Sequence, residues 1–173
     1  QQQQQQEEEQ QNDEWISMSF PVLNFDDSRG WSLTLSQDGS TLAIGFSSTI
    51  SNISFLHLYE RNNNNNQWSP KGNTMEVSDS SSVIQDVALS DTGDILAYSS
   101  TSLNNNDDDA TTTTIQVREW TGPQQWQSLG STIKVDGTSN AIALSGDGQT
   151  LAINNNNNNN KNSGGEVLVY GFN

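Results

Sequence analysis

The chain has 173 residues with 6 Lys+Arg against 21 Asp+Glu, a formal net charge of −15, and no Cys. That balance carries no basic cluster to neutralise phosphates, which argues against nucleic-acid binding. No run approaches the 18 apolar residues of a membrane span, and without Cys there is no disulfide, thiolate nucleophile or Cys-ligated metal.

Asn, Gln, Ser and Thr number 22, 16, 24 and 14, so most of the polarity is uncharged and the apolar fraction is only 31%. Spread evenly, such a composition would suggest disorder. It is concentrated instead. Residues 1–13 form a Gln/Glu-rich tail with nothing to bury, predicted to be disordered. Further runs occur at Asn62–Asn66, Asn104–Asp109 and Asn154–Asn160. They recur between similar apolar segments and read as expanded loops on a repeated scaffold. The chain begins at Gln1 rather than Met, which fits a processed product or a piece of a longer chain.

From residue 14 onward the elements repeat. Glu14–Val22 has the pattern of an outer strand led by Trp15. Trp31–Leu35 alternates apolar and polar residues as a half-buried strand does. An Asp38-Gly39 turn leads to Thr41–Gly45, whose consecutive apolar residues suit a strand covered on both faces. A third strand follows at Phe55–Glu60 and a fourth from Trp68 to Val77. The segment Leu35-Ser-Gln-Asp-Gly-Ser-Thr-Leu-Ala-Ile-Gly45 then returns at Leu89 and at Leu144, 54 and 55 residues further on. Leu56-His-Leu-Tyr-Glu60 returns at Ile115 and Val167, and the Trp68 strand returns at Trp126. The units fall at about 29–77, 84–135 and 139–173, with 14–22 as an additional outer strand. No segment keeps a 3.6-residue apolar period, so the predicted class is all-β.

Four-stranded units of this length, too small to bury their own faces, are expected to stack as β-propeller blades. The Leu-Ser-x-Asp-Gly-x-Thr-Leu-Ala segment with its following Leu-x-Leu-Tyr strand resembles WD-repeat and YVTN-type propellers. The added Trp-x-x-x-Gly-x-Thr strand is similar to the repeats of low-complexity-rich protist surface propellers. Three units imply a partial propeller, or two chains pairing by self-association to make six blades. The N-terminal strand would either complete the last unit or belong to an upstream one.

Candidate sites are few. In such a fold one loop face gathers Asp26, Asp27, Asp79, Asp86, Asp107, Asp108, Asp109 and Asp136, opposed by Arg29 and Lys161. This acidic face would favour a cation or a basic protein partner. Asp107, Asp108 and Asp109 are oxygen-rich candidates for Ca²⁺, although the spaced ligand pattern of a calcium loop is absent. His57 lies in a strand with no partner His or Cys, and its expected role is structural. Asp38 and Asp147 are explained by turn chemistry, with Asp91 replacing them in the middle unit. Trp15, Trp68 and Trp126 share one strand position and are expected to pack, in preference to stacking on a carbohydrate. Asn52-Ile-Ser54 is a glycosylation sequon and fits a secreted or cell-surface location. No nucleophile–base pair, phosphate loop or metalloprotease motif occurs, so no enzymatic activity is expected. The leading expectation is a non-enzymatic interaction or scaffold module. The alternatives are a glycan-active hydrolase or lyase using loop carboxylates, and an adhesive structural repeat of a larger surface protein.

Overall fold

The computed structural model describes residues 15, 17–21, 28–51, 53–77, 82–102, 112–156 and 165–173. These form thirteen strands and no helix, an all-β chain arranged as three antiparallel sheets in sequence order. Unit 1 comprises β1 (Ser28–Leu35), β2 (Thr41–Ser48), β3 (Ser54–Asn62), β4 (Gln67–Pro70) and β5 (Met75–Val77). Unit 2 comprises β6 (Ser82–Leu89), β7 (Ile95–Ser102), β8 (Thr112–Trp120), β9 (Trp126–Ser128) and β10 (Ile133–Asp136). Unit 3 is a sheet of three strands, β11 (Ile142–Leu144), β12 (Thr150–Asn155) and β13 (Glu166–Gly171). The expected tail, residues 1–13, lies outside the described residues.

The outer strand differs from the expectation of one continuous element. In unit 1 it is broken into β4 and β5, both paired to β3, and in unit 2 into β9 and β10, both paired to β8. The break falls at Gly72 and at the aligned Gly130, which have φ of 85° and 73°. Left-handed backbone interrupts a ladder and is tolerated where there is no Cβ. At Gly72 space forbids one as well, since a Cβ would stand 2.7 Å from the Trp120 ring.

The turns between the first two strands of each unit are built by side chains. Ser36 Oγ donates to Asp38 Oδ1 (2.7 Å) and accepts from the Thr41 N–H (2.9 Å), while Asp38 Oδ1 also accepts from the Ser40 N–H (2.9 Å). Ser145, Asp147, Gln149 and Thr150 repeat this arrangement. In the middle unit Thr92 stands where the aspartates stand, with its hydroxyl 3.4 Å from Ser90 Oγ. Asp91 instead meets the next turn, and its N–H donates to Gly146 O as the Gln37 N–H donates to Asp91 O. The Ser36 hydroxyl and the Ser40 N–H hold the Asp38 carboxyl down to about 2, and Ser145 with the Gln149 N–H lowers Asp147 in the same way.

The sheets stack face to face because each strand presents alternate residues to alternate neighbours. Leu56, Leu58, Ala43 and Val77 of unit 1 meet Ile84, Val87 and Leu89 of unit 2 in one buried cluster. Gly45 lies so close to the second sheet that a Cβ there would be 2.8 Å from Ile84 Cγ2. Ala97, Ile115 and Val135 of unit 2 meet Ile142, Leu151 and Ile153 of unit 3 in a second cluster. A third cluster of Ile44, Phe46 and Tyr59 lies on the other face of unit 1, where Phe20 covers part of it.

Candidate functional site

Asp86 is positioned by an irregularity in β6. The register of β6 against β7 shifts between Ile84 and Asp86, a bulge that leaves Gln85 as the extra residue. Ile84 and Val87 consequently share one cluster though three apart, and the Asp86 carboxylate is re-aimed between the sheets. Its Oδ1 accepts from Ser32 Oγ of unit 1 (2.6 Å) and from its neighbour Val87 N–H (2.9 Å). Its Oδ2 accepts from the Ile142 N–H of unit 3 (2.9 Å). One carboxylate therefore ties three units together, with Asp86 half-buried between them.

A second hydroxyl clasp repeats at both junctions. Ser47 and Ser54 hydroxyls pair at 2.6 Å, Ser54 Oγ donates to Ser82 O of the next unit, and Ser47 Oγ accepts from the Ile84 N–H. One unit later Thr101 and Thr113 pair at 3.0 Å, Thr113 Oγ1 donates to Gly137 O, and it accepts from the Ser139 N–H. Buried hydroxyls with both roles used stiffen a junction without a net charge.

The two junctions differ at their outer rim. At the first, Lys71 is 7% exposed and its ammonium donates to Gly93 O (2.9 Å) and to Asp94 Oδ1 (2.8 Å). It also lies 5.7 Å and 5.8 Å from the Trp120 and Trp126 ring centroids, a cation–π arrangement. At the second junction Leu129 aligns with Lys71 and Phe172 with Trp120, and a cleft of about 230 Å³ remains. Val117, Ile133, Leu144, Leu151 and Tyr170 complete its wall, with Gly148 and Gln149 of the turn at its mouth. The exposed Asp147 stands beside that mouth. Sequence reading missed this cleft. The available signal was the aligned pair Lys71 and Leu129, where an apolar residue replaces a cation next to the shared glycine.

Of the expected acidic face, Asp136 is exposed at the end of β10. Asp26, Asp27, Asp79, Asp107, Asp108 and Asp109 lie outside the described residues, as do Asn52 of the sequon and Lys161. Among the described residues no group of three or more His, Asp or Glu side chains gathers as a metal site would.

His57 lies on the outward face of unit 1, with Nδ1 3.4 Å from the Tyr59 hydroxyl and Nε2 3.4 Å from Thr74 Oγ1. Phe46 packs on its ring at 5.2 Å. Burial pushes His57 down and Tyr59 up, so both favour their neutral forms. Trp68 and Trp126 pack into the stack, Trp68 beside Phe20 and Trp126 against Trp120 with its indole N–H on Lys71 O. Trp15 is fully exposed at 105%, so the three do not form one stacking platform.

No family model matches the chain, and no curated protein matches it. Among the described residues no helix is long and apolar enough to cross a membrane.

Proposed function

We propose that the chain is a non-enzymatic interaction module of the β-propeller type, a WD-repeat-like stack that binds a basic segment of a protein partner through an apolar anchor. The observation that carries this reading is the cleft between units 2 and 3. Its counterpart at the first junction is filled by Lys71 and Trp120, so the same scaffold is closed at one junction and open at the other. An apolar cavity of about 150 Å³ accommodates benzene. The cleft at about 230 Å³ has room for one aromatic side chain. Asp147, held ionised beside the mouth, and the net charge of −15 select a basic sequence around that anchor. In the same reading the acidic loops raise the encounter rate with such a partner, and calcium in the Asp107–Asp109 loop would lower it.

The test is fluorescence anisotropy with two labelled Lys/Arg-rich peptides that differ in one central residue, Phe or Ala. The Phe peptide is expected to bind roughly tenfold more tightly, about the worth of one buried side chain. Leu129→Trp, which fills the cleft, should abolish that difference. Equal binding of the two peptides, or a preference that survives the filled cleft, would refute the proposal.

A further inference from the structure

The two ends of the stack are unlike ordinary surface. On the outward face of unit 1, Leu33 and Leu35 are 62% and 55% exposed. The residues aligned with them, Val87 and Leu89 in unit 2 and Ile142 and Leu144 in unit 3, all pack into junctions. On the outward face of unit 3, Val167 and Val169 are 70% and 65% exposed. Their counterparts, Leu56 and Leu58 in unit 1 and Ile115 and Val117 in unit 2, also fill junctions. The open faces are thus the two halves of one more junction of the same kind, carried on opposite ends.

The N-terminal segment adds an independent observation. Phe20 packs edge-on against Tyr59 with centroids 4.9 Å apart and lies 5.9 Å from Trp68, while Met18 Sδ is 4.0 Å from the Arg61 guanidinium. Arg61 and Trp68 align with Trp120 and Trp126, the two residues over which Lys71 lies. Residues 18–20 therefore rest on unit 1 where the outer strand of a preceding unit would rest. Residues 17–21 form no strand and run beside no sheet of their own. Unit 3, meanwhile, presents β13 as a sheet edge with the exposed Phe172 beyond it.

We infer that two copies of this chain join head to tail, unit 3 of each docking on unit 1 of the other. Residues 15–21 of one copy then run along β13 of the other as its fourth strand. The occupant is a second copy because one copy supplies both the complementary face and the edge that the segment lacks. In this arrangement the two junctions are identical, and a two-copy ring built from them would have no end from which a filament could propagate. The register follows from the units already complete. Trp68 pairs with Arg61 and Trp126 with Trp120, so Trp15 comes opposite Phe172 of the other copy and both lose their exposure. Pro21 has no N–H to offer a ladder and is suited to an outermost strand. The inference bears on the cleft, because Trp15 of the other copy takes the place that Trp126 holds beside Lys71 and Trp120 and so falls over Leu129 and Phe172 of the cleft wall, where it competes with the proposed ligand.

Sedimentation equilibrium on the full chain is expected to give the two-chain mass. Leu33→Asp and Val169→Asp, each placed on one open face, should each return the one-chain mass with an unchanged β-sheet circular dichroism spectrum. Because the chain has no Cys, Trp15→Cys combined with Phe172→Cys should yield a cross-chain disulfide on oxidation. The two single variants should yield none alone and one bond when mixed. A one-chain mass at every concentration would overturn the inference, as would larger open assemblies or a two-chain species that ignores both face substitutions. A two-chain species without the 15–172 bond would overturn the strand exchange.

Discussion

Replacing Asp86 by Ala removes a side chain that bonds to all three units. Three hydrogen bonds to an ionised acceptor are lost, those from Ser32 Oγ, the Val87 N–H and the Ile142 N–H. Bonds to charged groups contribute about 1.5–3 kcal/mol each. The carboxylate is half-buried, and water recovers part of the loss, which leaves about 3–4 kcal/mol. Against a total stability of about 5–15 kcal/mol this is a large fraction. Urea unfolding followed by Trp fluorescence should show a midpoint lowered by roughly 1–2 M with an unchanged slope. Asp86→Asn keeps Oδ1 as an acceptor and cannot accept from the Ile142 N–H through its amide, so it should lose about half as much. A cycle with Ser32→Ala should show about 1 kcal/mol of coupling, because the two side chains touch. An Asp86→Ala variant within about 0.5 kcal/mol of the parent would mean that the carboxylate is solvated and the three-unit tie is wrong.

Gly39→Ala and Gly93→Ala place a Cβ at equivalent left-handed positions, φ 65° and 68°. Gly39 has nothing within 4 Å of that Cβ, whereas at Gly93 it would run into Thr41 of the preceding unit. Calorimetry should therefore give about 1 kcal/mol of loss for the first and about 2–4 for the second. Lys71→Ala should cost about 3 kcal/mol by stranding Gly93 O and emptying the space against Trp120, and Lys71→Leu should recover part of it by restoring the packing seen at Leu129. Asp94→Ala should cost under about 1 kcal/mol, since its carboxylate is half exposed and the ion pair is screened. In acid, the depressed Asp38 contributes stability that is complete above about pH 4 and lost as pH falls toward about 2. Asp38→Asn should narrow its gap from the parent over that window in thermal melts. Burial lowers His57, so its contribution is complete above pH 6.5 and declines as the solution becomes more acidic. His57→Gln should remove that slope, and an identical slope in the variant would assign it to another group.

Much of the scaffold is legible in the sequence because its signals are local. The Ser-x-Asp-Gly turns announce themselves by residue type, and Leu42-Ala-Ile44 shows a strand covered on both sides. What escaped reading depends on neighbours far away in the chain. Asp86 reads as one of several acids beside a loop, and its bonds to Ser32 and to Ile142 show only once the bulge in β6 and the stacking of the units are seen. The outer strand reads as continuous from Trp68 to Val77, whereas it breaks at the left-handed Gly72, where the Trp120 ring 48 positions further on leaves no room for a Cβ. Nothing in the local sequence marks Lys71, and only the three-dimensional stack shows the two indoles that lie against it. The cleft at the second junction is signalled in the sequence only by Leu129 standing where Lys71 stands, because it is defined by what Leu129 and Phe172 do not fill. The expected propeller ring follows from the repeat and from the resemblance, and the described sheets, stacked with both end faces open, are where it can be tested.

The hydroxyl clasps at the two junctions have an evolutionary consequence. Ser47, Ser54 and Ser82 at the first, and Thr101, Thr113 and Gly137 at the second, sit at matching offsets and make matching bonds. Unequal crossover between aligned repeats of the coding sequence would add or delete a whole unit and leave a working clasp on either side. Such a chain can change its number of units in one genetic step, without first inventing a new interface.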